Sequence, residues 1–170
     1  FVRLFEKAVT PVEALPASSR PVGWFLAGAA LLPLDARGRL GVHLPKVRST
    51  YWPHRKNHER LQRSEIDWRL LCPGPMVDQP ALGLERLRVS IDSPPAPMPA
   101  IVGALPAPLV LPLFARWIPN LIIPYADAAS VILAHAQRDD ACARHRVGVA
   151  LPAGMKGRKD TWAAAPRGAA

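Results

Sequence analysis

The sequence predicts an α/β domain built on a largely parallel sheet, and three observations carry that expectation. Ile66, Trp68, Leu70, Leu71 and Cys72 make a short, largely apolar run of strand length, with Arg69 its one long polar side chain; Pro73-Gly74-Pro75 ends it abruptly. A second apolar run of strand length, Pro21 to Leu32, precedes it, and a third, Arg146 to Pro152, follows late in the chain. Strands with so little polar character suit a mostly parallel sheet covered on both faces better than an antiparallel sheet wet on one side.

The chain opens on Phe1 to Val9, which reads as the end of a crossover helix with Val2, Phe5 and Val9 on one side and Arg3, Glu6 and Lys7 on the other. Thr10 to Pro21 holds three prolines and reads as a linker. The strand near 21–28 runs on into Gly28-Ala29-Ala30, whose small residues either pack inside the sheet or let a ligand or neighbouring backbone come close. Pro33 to Thr50 is a polar connection with a turn at Asp35-Ala36-Arg37-Gly38. Pro53 suits the first turn of a helix predicted over 53–64, because its missing N–H is not needed there.

After Pro80, Ala81 to Ser90 reads as a short helix or strand, and the stretch from Asp92 to Pro124 contains nine prolines. Its window Pro94 to Ala115 is uncharged and apolar. It is not expected to span a membrane, since prolines at this density remove backbone donors that hydrocarbon cannot replace. Asp127 falls in the first turn of a helix predicted over 126–137, where a carboxylate favours the positive end of the dipole. Ala128, Val131, Ile132 and His135 form that helix's inward stripe. From Ala153 the composition turns to Gly, Lys, Arg and Ala, which predicts a flexible tail over 153–170 with Trp162 as its one docking candidate.

At 170 residues and 49% hydrophobic content the chain is long enough for one domain with a real core. A net charge of +9 would suit nucleic acid if it were clustered. The cations instead run from Arg3 to Arg167, interleaved with Glu6, Glu13, Asp35, Glu59, Glu65, Asp67, Asp139 and Asp140, and form no block. Nucleic-acid binding is therefore not expected. Cys72 and Cys142 fit no metal spacing and make no disulfide framework, so no metal site is expected either. Cys72 reads as a small buried hydrophobe, and a reducing cytoplasm is the default compartment.

The order of motifs points further. Tyr51-x-x-x-Arg55-x-x-x-Glu59, then Leu61, Ser64, Ile66-Asp67-Trp68 and Cys72-Pro73-Gly74, resembles the atypical short-chain dehydrogenase/reductase superfamily in its NAD(P)H-binding, NmrA-like or epimerase-like branch. There a Tyr-x-x-x-Lys helix leads into a strand ending in Arg-Pro-Gly or a variant. Pro124-Tyr125-Ala126-Asp127-Ala128-Ala129 is similar to that superfamily's Asp-Val-Ala helix start, and Arg146 to Pro152 to the strand after it. The resemblance spans roughly residues 20 to 152. It implies the C-terminal portion of a Rossmann-like doubly wound parallel sheet over 1–152, with a Pro-rich apolar insertion over about 81–124 on the substrate side.

Two departures accompany it. Arg55 stands at the lysine position, with Lys56 next to it, and the strand that would deliver a catalytic serine, Val22 to Gly28, holds no hydroxyl; Ser49 and Thr50 are the nearest. No G-x-G-x-x-G or G-x-x-G-x-x-G turn is present to seat a pyrophosphate, so the phosphate-binding half is expected upstream of Phe1.

What the resemblance implies is hydride transfer with NAD or NADP as cofactor and a small-molecule substrate, an apolar one if the insertion walls the site. Tyr51 and Arg55 would be the catalytic pair. Lys56 and Cys72-Pro73-Gly74-Pro75-Met76 would hold the cofactor, the latter lining the nicotinamide. A cation one helical turn from a phenol lowers its pKa. Arg55 keeps the charge, but is bulkier than lysine and cannot deprotonate. The alternative is a non-catalytic NmrA-like protein that binds dinucleotide, or a partner, and reports on it.

Overall fold

The computed structural model describes residues 1–158. In chain order its main elements are α1 (Val2–Glu13), β1 (Gly23–Leu26), α2 (Arg48–Gln62), β2 (Trp68–Cys72) and β3 (Met76–Val77). Then come β4 (Arg88–Ile91), α3 (Ala107–Trp117), β5 (Ile123–Pro124), α4 (Tyr125–Ala134) and β6 (Arg146–Ala150).

Four strands form one sheet in the order β1-β2-β6-β4. β1 pairs parallel with β2 from Gly23 opposite Trp68 to Leu26 opposite Leu71, and β2 pairs parallel with β6. β4 closes the other edge antiparallel to β6. The fold is thus mixed α/β with a parallel-rich sheet, and all three expected strands lie in it. β4 is the one antiparallel member, drawn from the stretch whose sequence left helix and strand open. A second ladder joins β3 to β5 in parallel.

Every residue of β2 is buried, as its apolar composition requires of a strand covered on both faces. Leu70 and Cys72 face a core made with Leu61, Leu31, Leu44, Phe114 and Trp117; Leu71 faces a second core with Val131, Val147 and Ile123. The buried Arg69 is accommodated because its guanidinium donates to Asp67 (2.8 Å) and to the Gln137 carbonyl (2.5 Å).

Three helix boundaries differ from expectation. α1 continues past Pro11 to Glu13, because its far end is held: Arg60 of α2 pairs with both Glu6 and Glu13, and Val9 is fully buried. The stripe that packs inward is Phe5, Val9 and Val12, while Val2 is 39% exposed. α2 starts at Arg48, five residues before the predicted start, so Pro53 sits in its second turn. α4 ends at Ala134, three residues early. The tail expected over 153–170 lies in larger part outside the described residues, as does Trp162. Its described beginning is tied down, with the Gly157 N–H donating to the Pro119 carbonyl at 2.8 Å.

Candidate functional site

β1 and β2 run side by side in the same direction, so their carboxyl ends open onto one crevice, the usual ligand position in a parallel α/β sheet. The pairing continues past the strands: the Ala27 N–H donates to the Leu71 carbonyl and the Ala29 N–H to the Pro73 carbonyl, at 2.9 and 2.8 Å. This fixes Gly28 and the Pro73-Gly74-Pro75 turn next to each other. Tyr51, on the first turn of α2, lies across Gly28; a β-carbon there would come within 2.4 Å of the Tyr51 ring. Gly74 is pressed equally hard onto Leu121, with a β-carbon only 2.6 Å from the Leu121 carbonyl oxygen. Both glycines are close-approach glycines, and the small residues after β1 make room for an aromatic ring.

Between these parts is a cavity of about 200 Å³ lined by Ala29, Ala30, Lys46, Val47, Thr50, Tyr51, Pro73, Gly74, Pro75, Phe114 and Ile118. Of the sequence-predicted site residues, the structure brings together Tyr51, Pro73, Gly74 and Pro75. The others lie elsewhere. Arg55 is one helical turn beyond Tyr51, but its guanidinium donates to Glu59 at 2.9 Å, contacts the His43 ring and stacks 5.2 Å from the Trp52 ring centroid. Lys56, a further 100° round the helix, is exposed to solvent. Cys72 is fully buried, and burial pushes its thiol up to about 12, so it is packing rather than a cofactor contact. Met76 belongs to β3, opposite Ile123, away from the cavity.

Two residues that the sequence reading left in a connection, Lys46 and Thr50, join the cavity instead. Lys46 adopts a left-handed backbone (φ 66°), which turns the chain into α2, and this exposed residue lines the cavity. The spacing Lys46-x-x-x-Thr50-Tyr51 is the signal for it, masked in the sequence by Pro53, which suits a helix start. Phe114 and Ile118, from α3 and the turn after it, close the cavity with apolar surface.

Asp127 lies in the first turn of α4 as expected, and it also ties down a loop. Fully buried at the start of α4, its carboxylate accepts the N–H groups of Leu82 and Gly83 at 3.0 and 3.1 Å, tying the 82–83 loop to the helix. His135, at the C-terminus of α4, pairs with Asp140 rather than packing inward.

No protein-family model matches this sequence, and no curated protein matches it. Among solved structures, the chain is similar to a "putative NADH-flavin reductase" from Streptococcus pneumoniae TIGR4, at 14% identity and a TM-score of 0.57, covering 88% of this chain and 65% of that one. It is also similar to a "Putative exported protein" from Burkholderia pseudomallei, at 16% identity and a TM-score of 0.51, covering 75% of this chain and 54% of the other. The chain thus spans less than two thirds of either structure. These likenesses concern the fold, and they agree with a Rossmann-like α/β architecture. Among the described residues, no helix is long and apolar enough to cross a membrane.

Proposed function

We propose that this chain is the catalytic-side portion of an NAD(P)-linked oxidoreductase of the atypical short-chain dehydrogenase type, with Tyr51 as its proton donor. The observation that carries the reading is the convergence of Tyr51 and the Pro73-Gly74-Pro75 turn on one cavity at the carboxyl ends of two parallel strands. The similarity to a structure described as an NADH-flavin reductase supports it. So does β1, which forms an edge of the sheet with Leu26 53% exposed, where further parallel strands of a longer domain would add.

The cavity fits the nicotinamide end of a dinucleotide and no more, because about 200 Å³ holds one substituted ring and no glycine-rich turn is present in the sequence for the pyrophosphate. When bound, the nicotinamide supplies the hydride or accepts it. The protein's own part is to orient and to move a proton. Backbone groups of the 73–75 turn would hold the carboxamide; Phe114 and Ile118 would keep water from the site; the Tyr51 phenol would give its proton to the substrate oxygen, or take it back in the reverse direction. Lys46, in place of Arg55, is the cation that lines the cavity with Tyr51. The Pro-rich stretch of about 81–124 acts as the substrate-side insertion, and its contribution of Phe114 and Ile118 favours a substrate with an apolar body.

Tyr51→Phe tests this. Loss of the phenol should lower turnover by about 10² to 10⁴, about 3 to 5 kcal/mol of barrier, and leave dinucleotide affinity unchanged. A second reading, dinucleotide binding without catalysis, is favoured by one observation: β1 carries no hydroxyl, and the Tyr51 ring occupies the space over Gly28. On that reading Tyr51→Phe leaves turnover unaltered and costs about 1 kcal/mol of stability at most, the worth of one hydrogen bond.

A further inference from the structure

The turn between α4 and β6 brings three different metal-ligating side chains to one point. His135 ends α4, and the chain then reverses through Asp139, whose backbone is left-handed (φ 57°), so that Asp140 and Cys142 come back beneath the imidazole. His135 Nδ1 lies 3.0 and 3.1 Å from the two Asp140 carboxylate oxygens, and the Cys142 N–H donates to Asp140 Oδ1 at 2.8 Å. The imidazole nitrogen, carboxylate oxygen and thiol sulfur all lie within 4.8 Å of one another.

We propose that His135, Asp140 and Cys142 form a binding site for a zinc-type divalent cation. The donor set selects the metal: imidazole and thiolate suit zinc, and two anionic donors neutralise its charge without further protein ligands. The scale fits too. Metal–ligand bonds of about 2.0 to 2.3 Å at tetrahedral angles place donors about 3 to 4 Å apart, so a small contraction of the present cluster is enough. Cys142 is buried, while the His135 and Asp140 side chains are 27% and 21% exposed, which leaves a path for the ion and room for water at the fourth position.

The loop is ordered by its own backbone: Cys142 and Ala143 are fixed by hydrogen bonds to Asp140, and Arg144 N–H donates to the Trp68 carbonyl of β2 at 2.6 Å. The nearby cation is the buried Arg69, which is engaged by Asp67 and Gln137; burial, followed by Asp140, pushes the Cys142 thiol up to about 11, so a metal must displace its proton. On binding, the thiol proton leaves to solvent and the metal takes its place against the carboxylate. The site is remote from Tyr51 in the chain and on a different strand–helix connection, so the proposal stands independently of the catalytic reading.

Cobalt is the probe, because a thiolate bound to Co²⁺ absorbs in the near ultraviolet and a tetrahedral Co²⁺ absorbs in the visible. Reduced, metal-stripped full chain titrated with Co²⁺ at neutral pH should show both signatures, saturate at one ion per chain, and lose them to added Zn²⁺. Cys142→Ser should abolish the near-ultraviolet band, and His135→Gln should weaken affinity by at least about tenfold. His135→Gln is the safer variant for folding, since that side chain is partly exposed. Cys72→Ala, the control, should keep the full spectrum. Binding without a thiolate band, saturation at several ions, or a band that survives Cys142→Ser and disappears in Cys72→Ala would each overturn the proposal.

Discussion

The two ends of α2 are built for different purposes. Its last two turns are anchored: Asn57, His58 and Leu61 are buried, His58 packs edge-on against Trp68 with ring centroids 5.6 Å apart, and Arg60 bridges to Glu6 and Glu13 of α1. Its first turn is open. Arg48, Ser49 and Thr50 are exposed, no side chain caps the helix, and the Tyr51 ring rests on a glycine. One helix thus joins an anchored end to an open one, and on the proposed function stability and activity should respond separately to changes at the two ends.

The largest effect on stability is expected at the anchored end. Leu61 is wholly buried against the β2 side of the core, so Leu61→Ala should cost about 2 to 5 kcal/mol in urea unfolding through lost contacts and a residual cavity. A loss below about 1 kcal/mol would mean that the anchor is less well packed than the structure shows.

His58 should make this end sensitive to acid. Burial, followed by the nearby Arg146 charge, lowers its pKa from the ordinary 6.5 to about 4. In the unfolded chain the imidazole takes up a proton below its ordinary value; in the folded chain it stays neutral until about pH 4. The unfolded state therefore binds more protons between these limits. Stability from this residue is fully present above about pH 6.5, falls as pH drops toward 4, and changes no further below. The loss should reach about 2 kcal/mol, allowing for the partial solvent access of the ring. His58→Leu should flatten the stability profile in that window; a slope unchanged by the substitution would assign it to other groups.

At the open end the smallest stability change should carry the larger functional one. Gly28→Ala places a methyl group against the Tyr51 ring, which can swing outward, so the cost should be about 1 kcal/mol, the low end for overpacking. Turnover should fall nonetheless, because the phenol is displaced from the 73–75 turn. Equal turnover in Gly28→Ala and the parent chain would mean that the contact of Tyr51 with Gly28 does not set the position of the phenol.

The sequence by itself determined the strands. The apolar run ending at Cys72, the stop at Pro73-Gly74-Pro75 and the apolar runs at 21–32 and 146–152 have one reading, because a continuous hydrophobic strand must be covered on both faces. That Tyr51 and the 73–75 turn share one site is what the motif resemblance implied, with the helix expected over 53–64 leading into the strand. What the sequence left open depends on contacts between distant residues. Prolines suggested that α1 stops near Val9 and that α2 starts at Pro53, yet both helices cross a proline: in α1, burial of Val9 and the Arg60–Glu13 ion pair hold the turns on either side of Pro11, and α2 begins at Arg48, before Pro53. The exchange of Arg55 for Lys46 at the cavity follows from the earlier start of α2 and from a left-handed residue that no pattern in the chain announces. His135 read as part of the inward stripe of α4, and Cys142 as a cysteine without metal spacing, for the same reason. Their meeting at Asp140 is made by a reversal of the backbone at Asp139, and a reversal brings together side chains that linear spacing keeps apart.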